Sequence, residues 1–597
     1  MDYLHKSKKI LSTLVKPVKS ELSFYVLFLL AIGIIPLRMF VSHIHYLYFD
    51  GIENFLLYDF SRAGAVTYLA TWLVYLFKRY AKVAGYMLAT ILLAVCLFLH
   101  LVFDKTLQPD IITLIAETNA QESSEFFSSF LFTKGGIVTI GATLLYVLLV
   151  VVCERKRKVI ESWLERIRYK VVCAILFVLF VFQGFLNFKF YYTVLSAPTV
   201  DVLPNHEGRY DAVSSLFYSL YSIRLVNVEM NHAVEVSKNI PASSVKLIDT
   251  DSLNVVYVIG ESYIKNHSQL YGYYLPTAPN LCKEKEQGNL YVFDDVVSPY
   301  NQTTLVMKNT FCCNSLSDGE KWSDSPFFPV LFKKAGYDVY FWDAQIPQGP
   351  QASKGQGLNN FSMLSFYYDS YFMNHVYKGV GQGTYIHDND LVDDFEKVHM
   401  EGKHNLVIFH LMGQHVVCTN RYPQNKQFDK FHANSILSKQ PYLDLQKKQE
   451  IAEYDNATLY NDYVLKHIFD IFRNTNTVVL YFSDHGEEVY DYRDSRGRVE
   501  LDPAMIKEGV RYQYEVPFMI WCSDKYKQKY PQRVTDIENA LRRPFITDDI
   551  SNVLFHIAGI STSVYKPTRD VLNQHYKPKD RIVGGKYNYD SIVKSSK

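Results

Sequence analysis

Five long apolar runs crowd the first 190 residues, at about 23–42, 61–77, 83–103, 136–153 and 171–188. Each approaches the ~20 residues that carry a helix across a bilayer. Five in so short a stretch predict membrane-spanning helices rather than core helices of a globular domain. The second is the least sharply bounded, because Arg62 stands at its start. Basic residues favour alternate connections. The N-terminus holds Lys6, Lys8, Lys9, Lys16 and Lys19, and the second connection holds Lys78, Arg79 and Lys82. The fourth holds Arg155, Lys156, Arg157, Lys158, Arg166, Arg168 and Lys170, whereas the connections between them are poor in Lys and Arg. Basic connections stay cytoplasmic, so the pattern predicts a cytoplasmic N-terminus and everything after about residue 190 outside. Pro36-Leu37-Arg38 offers no small-residue cleavage site, so the first run reads as an anchor, not a cleaved signal.

Residues 191–250 read as a bridge. Within 210–226, Val213, Leu216, Phe217, Leu220, Tyr221 and Leu225 form an apolar stripe at helical spacing. It suits packing on a neighbouring domain or lying in the lipid headgroup zone. From Ser252 the pattern changes. Strand-like runs at 254–259, 290–293, 337–342, 405–410, 477–482 and 516–521 alternate with helical stretches such as 451–472. The alternation predicts an α/β domain over about 251–575, with a mainly parallel sheet between helices. The chain after Tyr565 is basic and polar, so a loosely ordered tail is expected, with 576–597 outside the domain.

Bulk properties sharpen this picture. A chain of 597 residues is too long for one core. A net charge of +1 argues against a nucleic-acid partner recruited by global charge. Aromatics at 15% fit extensive membrane-interface surface. Cys282, Cys312, Cys313, Cys418 and Cys522 fall in the exported part, an odd number that leaves at least one thiol without an intrachain partner.

Two predicted strands run directly into chemistry. Residues 254–259 lead into Gly260-Glu261-Ser262, and 477–482 into Ser483-Asp484-His485-Gly486-Glu487. The carboxyl ends of strands are where open α/β sheets bind ligands. An acid after a strand is also a common helix cap. Two carboxylates and an imidazole on two such ends, however, form a ligand set for a divalent ion such as zinc.

These pieces, with others in the same order, resemble the bacterial phosphoethanolamine transferases, membrane members of the alkaline phosphatase and sulfatase superfamily. The others are Leu270-Tyr271-Gly272-Tyr273 with Pro276-Thr277-Ala278-Pro279, Val297-Ser298-Pro299 with Gln302-Thr303-Thr304, His410-Leu411-Met412-Gly413-Gln414-His415, Arg421-Tyr422-Pro423 and Tyr454-Asp455-Asn456. The likeness implies a five-helix membrane domain followed by a sulfatase-like α/β domain. It implies metal ligands Glu261, Asp484 and His485, and a threonine that is both nucleophile and metal contact. The matching position is Thr303, with Thr304 the alternative if the register slips by one. A hydroxyl is a weak nucleophile that a metal activates, and a helix starting there would aim N–H groups at phosphate oxygens. The same residues would equally serve as a cap of that helix. His415 matches a family position that contacts substrate or a second metal and is suited to acid–base work. Lys354 resembles a family lysine near the bound headgroup. His410 reads as a packed core residue.

The chain departs from the family pattern in places. The family often has a histidine about a dozen residues after the Asp-His pair, and here that stretch holds Arg498, whose guanidinium suits phosphate. One zinc is therefore expected and a second left open. Pro299 and Tyr300 stand where many relatives have a cysteine, so the family disulfide pattern does not transfer.

The resemblance implies a bacterial inner-membrane enzyme with a periplasmic catalytic domain. It would move phosphoethanolamine from phosphatidylethanolamine to lipid A or a surface glycan through a phospho-threonine-type intermediate. The residues alone imply only metal-assisted phosphoryl or sulfuryl transfer. A glycerophosphate transferase of the lipoteichoic acid synthase type, usually manganese-dependent, is the nearest rival. A sulfatase would need a Cys-x-Pro-x-Arg or Ser-x-Pro-x-Arg segment, which the sequence lacks. A non-catalytic membrane scaffold is the third reading, against which stand Glu261, Thr303, Asp484 and His485.

Overall fold

The computed structural model of the chain describes residues 2–34, 37, 60–103, 107, 111–112, 130–165, 170–197, 211–345, 364–498 and 501–594. The chain forms two compact units, 1–227 and 228–597.

The first unit is helical. It contains α1 (Asp2–Ser20), α2 (Leu22–Ile32), α3 (Ser61–Phe77), α4 (Arg79–Phe103), α5 (Lys134–Arg155) and α6 (Lys170–Leu186). Among the described residues, three helices are long and apolar enough to cross a membrane: Arg79–Phe103, Lys134–Arg155 and Lys170–Leu195. Five spans are thus not seen. Most of the second half of the 23–42 run lies outside the described residues. α3 has 17 residues, about 26 Å at the helical rise, short of the ~30 Å hydrocarbon core. Arg62 in its first turn is buried and lies 3.6 Å from Asp211. α3 meets α6 closely, since a Cβ on Gly184 would stand 2.1 Å from the Ser61 carbonyl oxygen, the small-residue contact common between membrane helices. Glu21 before α2, Lys82 in α4, Glu154 in α5 and Arg157 meet in one ion-pair cluster at 2.5–3.1 Å. One end of each of these three helices therefore shares one side of the bundle.

The predicted amphipathic stretch is the start of a longer helix, α7 (Ala212–Lys238). Asp211 caps it, accepting from Val213 and Ser214 N–H. Leu225, Phe217 and Tyr221 pack with Phe190, Val194 and Ala197. Leu220, counted in the stripe, instead faces outward at 53% exposure.

The second unit is built on a seven-stranded sheet. Its strands are β1 (Leu253–Gly260), β2 (Leu290–Val292), β3 (Asp338–Asp343), β4 (Tyr377–Val380), β5 (His404–His410), β6 (Thr477–Ser483) and β7 (Phe518–Cys522). The spatial order is β2-β7-β6-β1-β5-β3-β4. β7 pairs antiparallel with both neighbours and the other pairs are parallel. The sheet is mixed: its parallel pairs are those that run-on apolar strands predict for a sheet covered on both faces, and β7 is the antiparallel exception to the mainly parallel expectation. β4 carries Gly379 and had no strand signal in the sequence.

Six helices matter for the site: α8 (Pro279–Glu286), α9 (Thr303–Phe311), α10 (Asp388–Glu396), α11 (Leu445–Phe472), α12 (Ile506–Tyr514) and α13 (Tyr589–Lys594). α8, α10 and α11 cover one face, burying Leu281, Phe395 and Phe469 with Val256, Val258, Phe409 and Trp521. On the other face Tyr257 packs edge-on against Phe311 of α9 and against Phe328. The strand register aligns Gly260 with Ser483, Ile259 with His410, and Asp343 with His410. The residues that follow β1, β3, β5 and β6 therefore emerge side by side.

The C-terminal segment corrects the expectation of a loose tail. Ile582–Val583 pairs with Tyr587–Asn588, and α13 follows. Val583 and Tyr589 are buried in a cluster with Val297, Val510 and Tyr514. Gly584, at φ 59°, donates its N–H to the Pro299 carbonyl at 2.8 Å. The tail's few apolar residues are too widely spaced to make a periodic signal, and its order comes from these tertiary contacts. Truncating a buried aromatic to alanine costs about 3–5 kcal/mol. Tyr589→Ala is therefore expected to lower the unfolding temperature of the second unit, readable by calorimetry.

Candidate active site

Glu261 directly follows β1, and Asp484 and His485 directly follow β6. The register makes them neighbours, locked by the Asp484 N–H donating to the Gly260 carbonyl at 2.9 Å. Their ligand atoms lie within 4.8 Å of one another, and all three residues are fully buried. His485 Nε2 is 3.3 Å from Glu261 Oε1 and 3.1 Å from Asp484 Oδ2. His485 Nδ1 donates to the Gly486 carbonyl at 2.8 Å, which fixes the tautomer and turns the Nε2 lone pair towards the carboxylates.

Asp484 Oδ1 accepts from the N–H groups of Ser262 and His485 at 3.1 and 2.7 Å. Its Oδ2 receives no hydrogen bond among the described residues. A buried carboxylate oxygen without a donor, facing an imidazole lone pair and a second carboxylate, fits a bound cation. The electrostatics agree. Burial and the Glu261 charge push the Asp484 carboxyl up to about 7. Burial opposes the Glu261 charge, but His485, with His415 and Arg498 adding, holds its carboxyl well below the usual range.

Thr303 is the first residue of α9. Gln302 stands at the N-cap position, yet its side chain makes no capping bond. The Thr303 hydroxyl points away from the helix and donates to Glu261 Oε2 at 3.0 Å, with His485 Nε2 at 3.4 Å. Thr304 is the second residue of the helix. Arg498 brings Nη1 to His485 Nε2 at 2.5 Å and Nε to within 3.7 Å of Glu487 Oε2.

His415 comes from the turn after β5. Gly413, at φ 46°, lies against Glu261, and Gln414 N–H donates to the Glu261 carbonyl at 3.0 Å. His415 Nδ1 donates to the Val416 carbonyl at 2.7 Å. Desolvation, partly countered by Glu261 and reinforced by Arg421 and Arg498, pushes its pKa down to about 4. It is neutral at neutral pH, with Nε2 as an acceptor. Lys354 lies outside the described residues. His410 is fully buried, with Nδ1 3.1 Å from Asp343 Oδ1.

The sequence reading missed several neighbours. Gln345 Nε2 donates to Glu261 Oε2 at 3.1 Å. Ser262 Oγ donates to Glu261 Oε1 at 2.7 Å. Asp388 accepts from Met412 and Gly413 N–H at 2.8 and 2.9 Å and so holds the His415 turn. Gln345 follows a predicted strand and was open to the same strand-end argument as Glu261. Asp388 had no comparable signal. A Cβ on Gly413 would stand 2.7 Å from the Glu261 carbonyl oxygen and 2.8 Å from its nitrogen. With the positive φ as a second penalty, Gly413→Ala is expected to displace both Glu261 and His415. Activity should fall about tenfold or more per 1.4 kcal/mol of misplacement, with the far-ultraviolet circular dichroism unchanged.

Comparison with known proteins places the chain in a class. Residues 253–560 match the sulfatase family, and the chain belongs to it. Its relatives are more particular than that. The chain is 26% identical over 546 residues to the phosphoethanolamine transferase EptC of Escherichia coli K12, covering 89% of each. The C-terminal periplasmic domain of EptC from Escherichia coli superimposes at TM-score 0.51 with 27% identity, over 59% of this chain and 97% of that one. The same domain in complex with Zn superimposes at TM-score 0.50, with 24% identity over the same shares. The integral membrane lipooligosaccharide phosphoethanolamine transferase A from Neisseria meningitidis shares the fold over 94% of this chain and 99% of that one, at TM-score 0.50 and 16% identity. Homology to phosphoethanolamine transferases supports a transferase.

Proposed function

We propose that this chain transfers phosphoethanolamine from phosphatidylethanolamine to a cell-envelope acceptor, lipid A or a surface glycan. The observation that carries the reading is the Thr303 hydroxyl aimed at the Glu261–Asp484–His485 cluster, 3.0 Å from Glu261 Oε2. Glu261, Asp484, His485 and Thr303 would hold one zinc ion. When bound, such an ion lowers the pKa of a ligating hydroxyl and neutralises phosphoryl charge.

In the first half-reaction the Thr303 oxygen attacks the headgroup phosphorus. Its proton passes by way of Glu261 Oε2 to the diacylglycerol oxygen as the phosphorus–oxygen bond to that oxygen breaks, diacylglycerol leaves, and a phosphoethanolamine–threonine intermediate remains. Arg498 faces the phosphoryl oxygens with the N–H groups at the start of α9. In the second half-reaction His415 Nε2, free of a proton at neutral pH, takes the acceptor hydroxyl proton while that oxygen displaces Thr303, and the proton then returns to the Thr303 oxygen. That assigns His415 as base for the acceptor rather than as acid for the departing oxygen. A phosphate acceptor would need no such base.

The first unit anchors the enzyme where its donor is. The clustering of Glu21, Lys82, Glu154 and Arg157 supports a topology with those helix ends cytoplasmic, the N-terminus with them, and the catalytic unit periplasmic. Five crossings satisfy that topology. Tethering raises the local donor concentration. The test supplies purified full-length protein with phosphatidylethanolamine or phosphatidylglycerol, each labelled in the headgroup and acyl chains. Diacylglycerol released from the first lipid alone is the expected result. Release from phosphatidylglycerol would favour the glycerophosphate transferase reading.

A further inference from the structure

Six residues beyond Glu261, an imidazole lies buried between two carboxylates that the proposed chemistry does not use. His267 is 2% exposed, with Nδ1 2.6 Å from Asp455 Oδ1 and Nε2 2.9 Å from Asp491 Oδ1. Ionised carboxylate oxygens only accept, so the ring donates from both nitrogens and carries a charge. Tyr273 OH donates to Asp455 Oδ2 at 2.8 Å, and its ring stands 4.7 Å from the imidazole. Tyr454 of α11 meets the imidazole edge-on at 5.3 Å, and Tyr512 of α12 lies near Asp491. Burial opposes the charge, but Asp491 and Asp455 outweigh it and hold the His267 pKa well above the ordinary histidine value.

The three residues come from three segments that build the site. His267 lies on the exit from β1 that begins with Glu261. Asp455 lies on α11, next to Tyr454, whose hydroxyl donates to the Ser262 carbonyl at 2.6 Å and accepts from Ile264 N–H at 2.7 Å. Asp491 lies between His485 and Arg498. The segment 486–498 has little regular structure of its own. Two residue pairs bridge it, Arg496 with Val489 and Gly497 with Glu488, and Arg496 ties it to Glu450 at 2.7 Å. We propose that His267 is a positioning residue, whose charged ring fastens the segment bearing Arg498 to the β1 exit and to α11. Its effect on turnover rests on the transferase reading, whereas the fastening itself does not.

Removing one member of a buried ion cluster leaves the others uncompensated, and here the loss should show locally. The experiment compares wild type, His267→Gln, His267→Arg and Asp491→Asn as metal-loaded full-length protein, by amide hydrogen exchange and by donor turnover. In His267→Gln, exchange over 486–498 should quicken about tenfold or more while β5 and β6 keep their protection. The kcat should fall by a similar factor with the donor KM held within about twofold. His267→Arg, which keeps the charge and two donors, should restore part of both. If His267→Gln does not fold, Asp491→Asn decides, because it removes the charge that pairs the segment with His267 and leaves the His267–Asp455 pair. Unchanged exchange over 486–498 in the variant that folds would overturn the proposal, as would a wild-type His267 ring that loses its charge near pH 6.5 by nitrogen NMR. A chain that transfers nothing yet shows the exchange difference would refute the transferase reading and leave the fastening intact.

Discussion

Replacing Thr303 with alanine is expected to lower transfer by on the order of 10³-fold or more, the scale on which loss of a nucleophile registers. The fold should hold. The side chain projects from the first turn of α9 towards Glu261 and His485 rather than into the core. Its loss leaves Glu261 Oε2 still bonded by Gln345 at 3.1 Å. The three proposed ligands Glu261, Asp484 and His485 remain, so zinc content should stay near that of wild type. Thr303→Ser keeps the hydroxyl and should retain most of the activity. If Thr303→Ala kept activity while Thr304→Ala lost it, the register would be off by one. Retention of activity in both would remove the covalent mechanism. Measured turnover with labelled donor, alongside metal analysis of each variant, separates these outcomes.

The second large effect is expected on stability. Two buried carboxylates face each other, and without a cation one of them resists ionisation. The folded-state pKa of Asp484, about 7, is raised above its ordinary value. The stabilisation it contributes is therefore fully present below about pH 4 and is lost as pH rises through about 7. A bound divalent ion reverses that sign, because it favours the charged carboxylate and competes with protons. At an ion concentration about 100 times Kd, binding stabilises by about 2.7 kcal/mol. At about 2–4 °C per kcal/mol for a large domain, a chelator at pH 7.5 should lower the unfolding temperature by about 5–11 °C. Glu261→Gln should abolish that chelator effect. The same variant should leave the chelator-treated protein no less stable than chelator-treated wild type, since one of the facing charges is gone. A chelator shift that survives Glu261→Gln would place the ion elsewhere. Apparent metal affinity should fall as pH drops below about 7.

The sequence carried the site further than it carried the fold around it. Glu261, Asp484 and His485 were readable because each follows an uninterrupted apolar strand, and parallel register then makes them neighbours. Thr303 was readable only through the family resemblance, since a threonine at a helix start is also an ordinary cap. The turn that presents His415 depends on a single glycine at positive φ and on Asp388 from another helix, neither of which has a sequence period. The mixed sheet was nearly complete in the pattern, apart from the short edge strand at Tyr377–Val380 with its glycine. The C-terminal hairpin was misread because Val583 and Tyr589 are isolated apolar residues whose burial is decided by Val297 and Tyr514. In the helical unit, hydrophobic length predicted five crossings, but Arg62 and a 17-residue helix make α3 shorter than a plain span. Its buried cation is matched by Asp211, 149 positions further along the chain, a pairing that no local pattern could reveal.

The central claim is that Thr303 carries the transferred group. Full-length protein incubated with phosphatidylethanolamine and no acceptor, then quenched in acid and digested, should yield the Thr303 peptide bearing one phosphoethanolamine, and the modification should vanish when acceptor is added. An unmodified Thr303 peptide, under conditions where diacylglycerol is being released, would contradict it.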